Sequence, residues 1–283
     1  MSTTIDLPAD LVAVKQRQQA TWASGDYSAV AAIIVPVAER LVDLADLRAG
    51  SRVLDVATGT GNAALAAARL GCDVVGIDYV EALLDRGRQR AAAEGLTVDF
   101  QAGDAEDLAF PDYSFTAVLS VFGSMFTPDH AQTASEIARV TSAGGTIALA
   151  SWTPDGFLGA LFRTVAQFAP PPAGVASPML WGTAGHLASL FDPAVRWTHT
   201  TETFTFRFSS AEAFVEYFAK NYGPTLKALA AAGDRAGDLI SALIELAKSW
   251  NRLDSDGGPV AIPATYLASV GIREAQQGGP IIS

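Results

Sequence analysis

The chain has 283 residues, 49% hydrophobic and 17% charged, which suits one domain of roughly 200–250 residues plus an appendage. Nineteen basic against thirty acidic side chains give a formal charge of −11, which disfavours nucleic acid and anionic lipid and points to a small-molecule partner. The lone Cys72 excludes an internal disulfide framework and fits a reducing compartment, and three histidines with one cysteine leave a structural zinc site short of ligands.

The first residues, Met1 to Pro8, show no basic segment followed by an apolar core, so no signal peptide is expected. No apolar run reaches membrane-spanning length, and the expected location is the cytoplasm. Residues 10–24 read as a polar helix, and Ser28 to Leu47 as a second carrying Val30, Ile33, Ile34, Val37, Leu41 and Leu44. After the turn Arg48 to Ser51 the pattern alternates. Strands are expected at 52–57, 73–78, 97–102, 115–121 and 145–151, and helices at 61–70, 80–94, 128–141 and 156–168. Strands separated by helices imply right-handed parallel crossovers and a doubly wound α/β sheet. Pro170 to Pro172 and Pro178 then open a loop reaching about Trp181. Phe204, Phe206 and Phe208 at spacing two mark a half-exposed strand over Thr198 to Phe208. A helix over Ser210 to Lys220, Ala-rich helical segments to Trp250, a turn at Asp254 to Pro259 and a strand at Val260 to Val270 complete the pattern. The tail from Glu274 is polar and Gly-rich and is expected to fray.

Chemistry concentrates where the first strand ends. Arg52-Val-Leu-Asp-Val-Ala-Thr-Gly-Thr-Gly-Asn62 joins an apolar strand to an Ala-rich helix through a Gly-x-Gly turn. Backbone approaches a ligand closely only where side chains are absent, and the helix N-terminus favours an anion. The second strand, Cys72 to Asp78, ends in an acid at the distance expected for gripping a ribose diol. An adenosine-containing cofactor follows. Gly59-x-Gly61-x-x-Ala64 by itself also fits a dinucleotide. Asp55 tips the choice: a carboxylate beside the ligand repels a pyrophosphate and attracts an ammonium, as S-adenosylmethionine presents. Asp104, after the third strand, stands where it could accept from an adenine amino group.

In Val53-Leu-Asp-Val-Ala-Thr-Gly-Thr-Gly61, Gly76-Ile-Asp78, Gly103-Asp-Ala105, Phe110-Pro-Asp-Tyr-Ser-Phe115 and Ala143-Gly-Gly145 the chain resembles the class I S-adenosylmethionine-dependent methyltransferases. It is most similar to their ubiquinone/menaquinone C-methyltransferase-like branch, over about residues 50–152. The resemblance implies a mostly parallel seven-stranded Rossmann-like sheet with N-terminal helices and a helical C-terminal cap insertion. The corresponding domains are an N-terminal helical lid (1–50), the cofactor-binding core (51–200), last strands with the cap (201–270) and a tail (271–283). It further implies that Asp55, Gly59 and Gly61 hold the methionine end, with Thr58, Thr60 and Asn62 in the same loop. Asp78 then takes the ribose hydroxyls, Tyr79 or Leu83 packs on the adenine, Asp104 and the Ala105 amide read its edge, and Val121 lines the methionine pocket. The implied activity is methyl transfer to a small, largely apolar molecule by in-line displacement, in a scaffold common among natural-product tailoring enzymes. Metal is not expected, and a homo-oligomer is left open.

Each assignment has a plainer counterpart. Thr58, Thr60 and Asn62 could only cap the helix. Phe122 and Phe126 could shield the methyl group or simply pack. Phe214, Tyr217 and Phe218 at helical spacing suit a core stripe. His130 is the leading candidate for a general base and Tyr27 the second, needed only for an acceptor protonated at neutral pH. Beside a non-catalytic binding module, which the complete set of cofactor positions disfavours, two alternatives stay open. One is a non-methylating reaction, such as cyclisation or decarboxylation, in the same pocket. The other is a NAD-dependent oxidoreductase, against which Tyr217-Phe-Ala-Lys220 has the wrong spacing for a Tyr/Lys proton donor.

Overall fold

The computed structural model describes residues 10–253 and 257–274. The chain starts with Leu11–Trp22 (α1), whose first turn is capped by the Asp10 carboxylate accepting from the Ala13 N–H. Tyr27–Ile33 (α2) and Val35–Leu44 (α3) follow. The single helix expected over 28–47 is therefore two. Pro36 lacks an N–H and its ring clashes with the carbonyl four residues back, so the helix breaks at Ile34 and restarts with Pro36 in its first turn. Val37, Ala38, Leu41 and Val42 form the buried face of α3, which packs on the core.

Alternation then runs as the sequence predicts: Arg52–Val56 (β1), Asn62–Arg69 (α4), Asp73–Asp78 (β2), Glu81–Glu94 (α5), Asp99–Ala102 (β3), Phe115–Val121 (β4), His130–Val140 (α6) and Thr141–Trp152 (β5). Phe157–Ala166 (α7) and Ala184–Phe191 (α8) lead to Val195–Phe208 (β6). Ala211–Asn221 (α9), Gly223–Ala232 (α10) and Ala236–Ser249 (α11) precede Val260–Arg273 (β7). The seven strands form one sheet in the order β3-β2-β1-β4-β5-β7-β6. Pairs from β3 through β5 are parallel, while β7 runs antiparallel to β5 and β6. The central strands are buried on both faces, with Val53, Leu54, Val118, Leu119 and Ile147 at 0% exposure, as a parallel sheet between helical layers requires.

Strand lengths differ from the expected ones at the antiparallel edge. β6 begins at Val195 and β7 continues to Arg273 because the two pair residue for residue over their whole length. β6 thus runs through residue 200, and the tail starts after Arg273, not at 271. Arg273 itself is buried, its guanidinium lying 4.2 Å from the Tyr113 ring centroid and donating to the Thr141 carbonyl. β5 also starts early, at Thr141, with an irregular register opposite Phe115 to Ala117. Asp254 to Asp256 of the expected turn, and the tail beyond Glu274, lie outside the described residues.

The N-terminal helices meet the helices inserted between β6 and β7 over the carboxyl edge of the sheet. α1 packs on α10 and α2 on α9. Approach is so close that a Cβ on Gly223, at the start of α10, would lie 2.0 Å from the Thr21 carbonyl oxygen. The Tyr217 hydroxyl donates to the Ala29 carbonyl at 2.8 Å, tying α9 to α2.

Candidate active site

β1 and β4 are neighbours although three strand positions separate them in sequence, so the connections leaving their tips diverge and leave a crevice there, where doubly wound sheets take ligands. The loop after β1 is sharply bent: Ala57, Gly59 and Gly61 all have left-handed backbones (φ 53°, 55° and 84°). Gly61 serves packing. A Cβ there would sit 2.7 Å from the Phe100 ring, and Gly61 is not part of the cavity lining expected of it. Gly59 does face the cavity, with the Tyr27 ring 3.4 Å from the position of its absent Cβ.

Asp55 lies at the tip of β1, 1% exposed. Its Oδ2 accepts from the Thr58 hydroxyl at 2.5 Å and the Ala64 N–H at 2.9 Å, while no described residue bonds Oδ1. Burial pushes its carboxyl up to about 7, against the two hydrogen bonds, and the Asp78 charge adds to the rise. Asp78, at the tip of β2, accepts from the Gly59 N–H and the Val80 N–H, each at 2.9 Å. Burial raises its carboxyl to about 6 although those amides favour the charged form. The glycine loop is thus tied directly to the second acid.

Thr60 and Asn62 are held rather than free. Arg90 of α5 donates to the Thr60 carbonyl (2.7 Å), the Thr60 hydroxyl (3.0 Å) and Asn62 Oδ1 (2.7 Å), while Asn62 Nδ2 donates to the Ala31 carbonyl at 2.8 Å. Arg90 fixes the loop from behind. The sequence gives no sign of this, because Arg86, Arg88 and Arg90 look alike on a charged helix.

Past β3, Asp104 Oδ1 accepts from the Glu106 N–H at 2.9 Å. Lys15 of α1 closes on both acids, 2.5 Å from Asp104 Oδ2 and 2.6 Å from Glu106 Oε2. Burial alone would lower the lysine, but these partners outweigh it and hold it above its ordinary value. Gln19 donates to the Tyr79 carbonyl at 2.5 Å. A polar, unpatterned helix therefore forms part of the roof, through Lys15 and Gln19, which no local sequence signal marks.

The resulting cavity measures about 940 Å³. It gathers Asp55, Thr58, Gly59, Thr60, Asn62, Asp78, Tyr79, Leu83, Asp104, Ala105 and Val121 from the expected set, and adds Lys15, Gln18, Trp22 and Tyr27 from the N-terminal helices. Phe122 and Phe126 line it too. Phe122 has a left-handed backbone (φ 58°), and Gly123 after it could not carry a Cβ, which would meet Ala57 Cβ at 2.5 Å. The β4 tip thereby seats against the β1 loop.

His130 stands apart and corrects the expected assignment. Asp129 caps α6 by accepting from the Gln132 N–H, which makes His130 the first helical residue and turns it away from the cavity, whose lining ends at Pro128. His130 is 5% exposed, with Nδ1 3.0 Å from His186 Nε2 and its ring edge-on to Trp181. Burial and the neighbouring His186 depress its basicity to about 4. It has neither the position nor the basicity of a base at neutral pH. Among the described residues no three or more His, Cys, Asp or Glu side chains are grouped to hold a metal, and no helix is long and apolar enough to cross a membrane.

The comparisons with known proteins agree with this geometry. Residues 53–145 match the methyltransferase domain family, the stretch that runs from β1 into β5. An uncharacterised protein of Mycobacterium tuberculosis is 39% identical over 255 residues, covering 87% of this chain and 93% of that protein. A demethylmenaquinone methyltransferase of Deinococcus radiodurans is 40% identical over 138 residues, 47% of this chain and 56% of that enzyme. In fold, the crystal structure of the YcgJ protein of Bacillus subtilis superposes with a TM-score of 0.61 at 21% identity, covering 84% of this chain and 98% of that one. With its sheet order, its glycine loop and its strand-tip acids, the chain belongs to the class I S-adenosylmethionine-dependent methyltransferases.

Proposed function

We propose that this chain transfers a methyl group from S-adenosylmethionine to a small, largely apolar molecule by in-line displacement. One observation carries the reading. A single cavity has acids and bare backbone on one wall, at the tips of β1 to β3, and Val121, Phe122 and Phe126 on the other. The residues present fit the cofactor: Asp55 keeps Oδ1 unbonded toward an ammonium, Gly59 leaves room for close approach, and Asp78 offers a buried carboxylate to a diol. Tyr79 and Leu83 would flank the adenine, with Asp104 and the Ala105 amide at its edge.

When bound, S-adenosylmethionine supplies a methyl group already activated on a sulfonium. The chain's own contribution is then alignment and a dry site, and orientation of reactants alone can lower a barrier by about 7–11 kcal/mol. The apolar wall excludes water beside the strand-tip acids. No base is required of the chain when the acceptor reacts without losing a proton first, which agrees with the displacement of His130 from the site.

The reading is tested by incubating the full chain with S-adenosylmethionine labelled at the methyl and with extracts of small molecules, then searching by mass spectrometry for products that gain the labelled methyl. Labelled product supports methyl transfer. An altered product without the label would instead support the non-methylating alternative.

A further inference from the structure

A second chamber of about 530 Å³ adjoins the first, and the two share Trp22, Tyr27, Ile34, Phe122 and Phe126 as a common boundary. Its far walls come from distant elements: Trp152 at the end of β5, Leu158 and Leu161 of α7, and Phe214, Phe218 and Tyr222 around α9. Among the described residues no Asp, Glu, Lys, Arg or His lines it. Its polarity rests on a few groups, chiefly the phenols of Tyr27 and Tyr222, whose rings lie 6.5 Å apart between centroids. Neither hydroxyl has a hydrogen-bond partner among the described residues, unlike that of Tyr217. Trp22 touches both rings edge-on, at 5.4 Å to Tyr27 and 5.6 Å to Tyr222.

This wall selects by exclusion. An anion entering it would lose its water without gaining a cation, a cost that a neutral molecule of the same shape escapes. Aromatic faces and edges favour a flat partner. The chamber is the smaller of the two, which suits a compact ring system better than a long-tailed one. Two phenols without a protein partner among the described residues can each donate to an oxygen or nitrogen acceptor on an occupant.

We infer that the second chamber is the seat of the methyl acceptor, and that it takes an uncharged, compact, planar molecule whose polar atom is held between the hydroxyl of Tyr27, on the boundary with the cofactor cavity, and that of Tyr222, on the far wall. Burial pushes both phenols well above their ordinary value, so they stay protonated and act as donors. Tyr27 and Tyr222 are positioning residues in this account. That the occupant is a methyl acceptor rests on the proposed function; that the chamber binds such a molecule does not.

The test is calorimetric, on the full chain saturated with S-adenosylhomocysteine, with 2-naphthol, 2-naphthoate and naphthalene as probes. 2-Naphthol binds at one site, and 2-naphthoate binds at least about tenfold more weakly. Leu161→Trp, which fills the chamber from a half-buried position, abolishes binding of 2-naphthol and leaves S-adenosylhomocysteine affinity unchanged. Tyr222→Phe, which keeps the packing, weakens 2-naphthol about three- to tenfold and leaves naphthalene unaffected. Equal affinity for the naphthoate, indifference of 2-naphthol to both substitutions, or no 2-naphthol binding to the saturated chain would overturn the inference. Should S-adenosylhomocysteine fail to bind while 2-naphthol still binds and is lost in Leu161→Trp, the chamber stands and the methyl-transfer reading falls.

Discussion

On one side of Tyr27 the cavity wall is acidic and hydrogen-bonded: Asp55, Asp78 and Asp104 each accept hydrogen bonds from the loops beside them. On the other side the wall is aromatic, and the Tyr27 and Tyr222 hydroxyls engage no other described residue. The first wall comes from neighbouring strand tips within one continuous stretch of chain. The second draws on α1, α2, β4, β5, α7, β6, α9 and α10. Buried polar groups demand specific partners, so the first wall depends on short motifs with fixed spacing. Apolar contact demands only shape and area, so the second can be assembled from remote segments and can vary freely. A common cofactor and a divergent acceptor would follow from that division.

The largest expected effect breaks the polar wall alone. Asp78→Ala removes the acceptor of the Gly59 and Val80 amides and of the proposed diol contacts. S-adenosylhomocysteine affinity should fall about 10²- to 10⁴-fold, taking two charge-assisted bonds at about 1.5–3 kcal/mol each. Binding of 2-naphthol should persist. Unchanged nucleoside affinity would contradict the assignment of Asp78.

Gly61→Ala sharpens the distinction between lining and support. The new Cβ would press on Phe100 from a left-handed backbone, so thermal unfolding should show a loss of about 1–3 kcal/mol. An unchanged melting temperature would show that Phe100 yields freely.

Next comes pH. A carboxyl raised to about 7 in the fold from about 3.9 in the unfolded chain disfavours its ionised form when native. Its contribution to stability is therefore full below about pH 4 and is lost as pH rises toward 7, whereas attraction for an ammonium grows over the upper part of that window. S-adenosylhomocysteine should bind about tenfold more tightly at pH 8 than at pH 6. Asp55→Asn should flatten that profile and gain stability relative to the parent chain as pH rises. A profile as steep in the variant would remove Asp55 from the account. Binding of 2-naphthol, in a wall without carboxylates, should not follow this curve.

The smallest effect concerns the roof. Lys15→Ala should change S-adenosylhomocysteine affinity less than about fivefold, and the difference should shrink at high salt, as expected for a partly exposed ion pair. A salt-independent loss would mean that Lys15 does more than hold α1 over Asp104 and Glu106.

What the sequence made legible divides along the same line. Hydrophobic periodicity and Gly/Pro punctuation located the parallel strands and their order of alternation, and the strand-tip acids marked residues that line one wall of the cavity. The break at Ile34 was hidden because the apolar period continues across Pro36. Lys15 and Arg90 were hidden because a surface lysine or arginine carries no local mark of its distant partner. His130 misled because proximity to the β4 tip in sequence does not fix which way a first-turn side chain points; the Asp129 cap turns it toward His186. The aromatic chamber was half visible. Phe214 and Phe218 read as a core stripe, which they are, and only the fold reveals that the stripe borders a cavity.

The central claim is that the strand-tip acids and the glycine loop hold a sulfonium nucleoside. Calorimetric titration of S-adenosylhomocysteine into the full chain at pH 8 tests it most directly. The account predicts one saturable site per chain, competed by S-adenosylmethionine and not by NAD. No binding at concentrations of about 1 mM, where even a −4 kcal/mol interaction would register, or displacement by NAD, would contradict it.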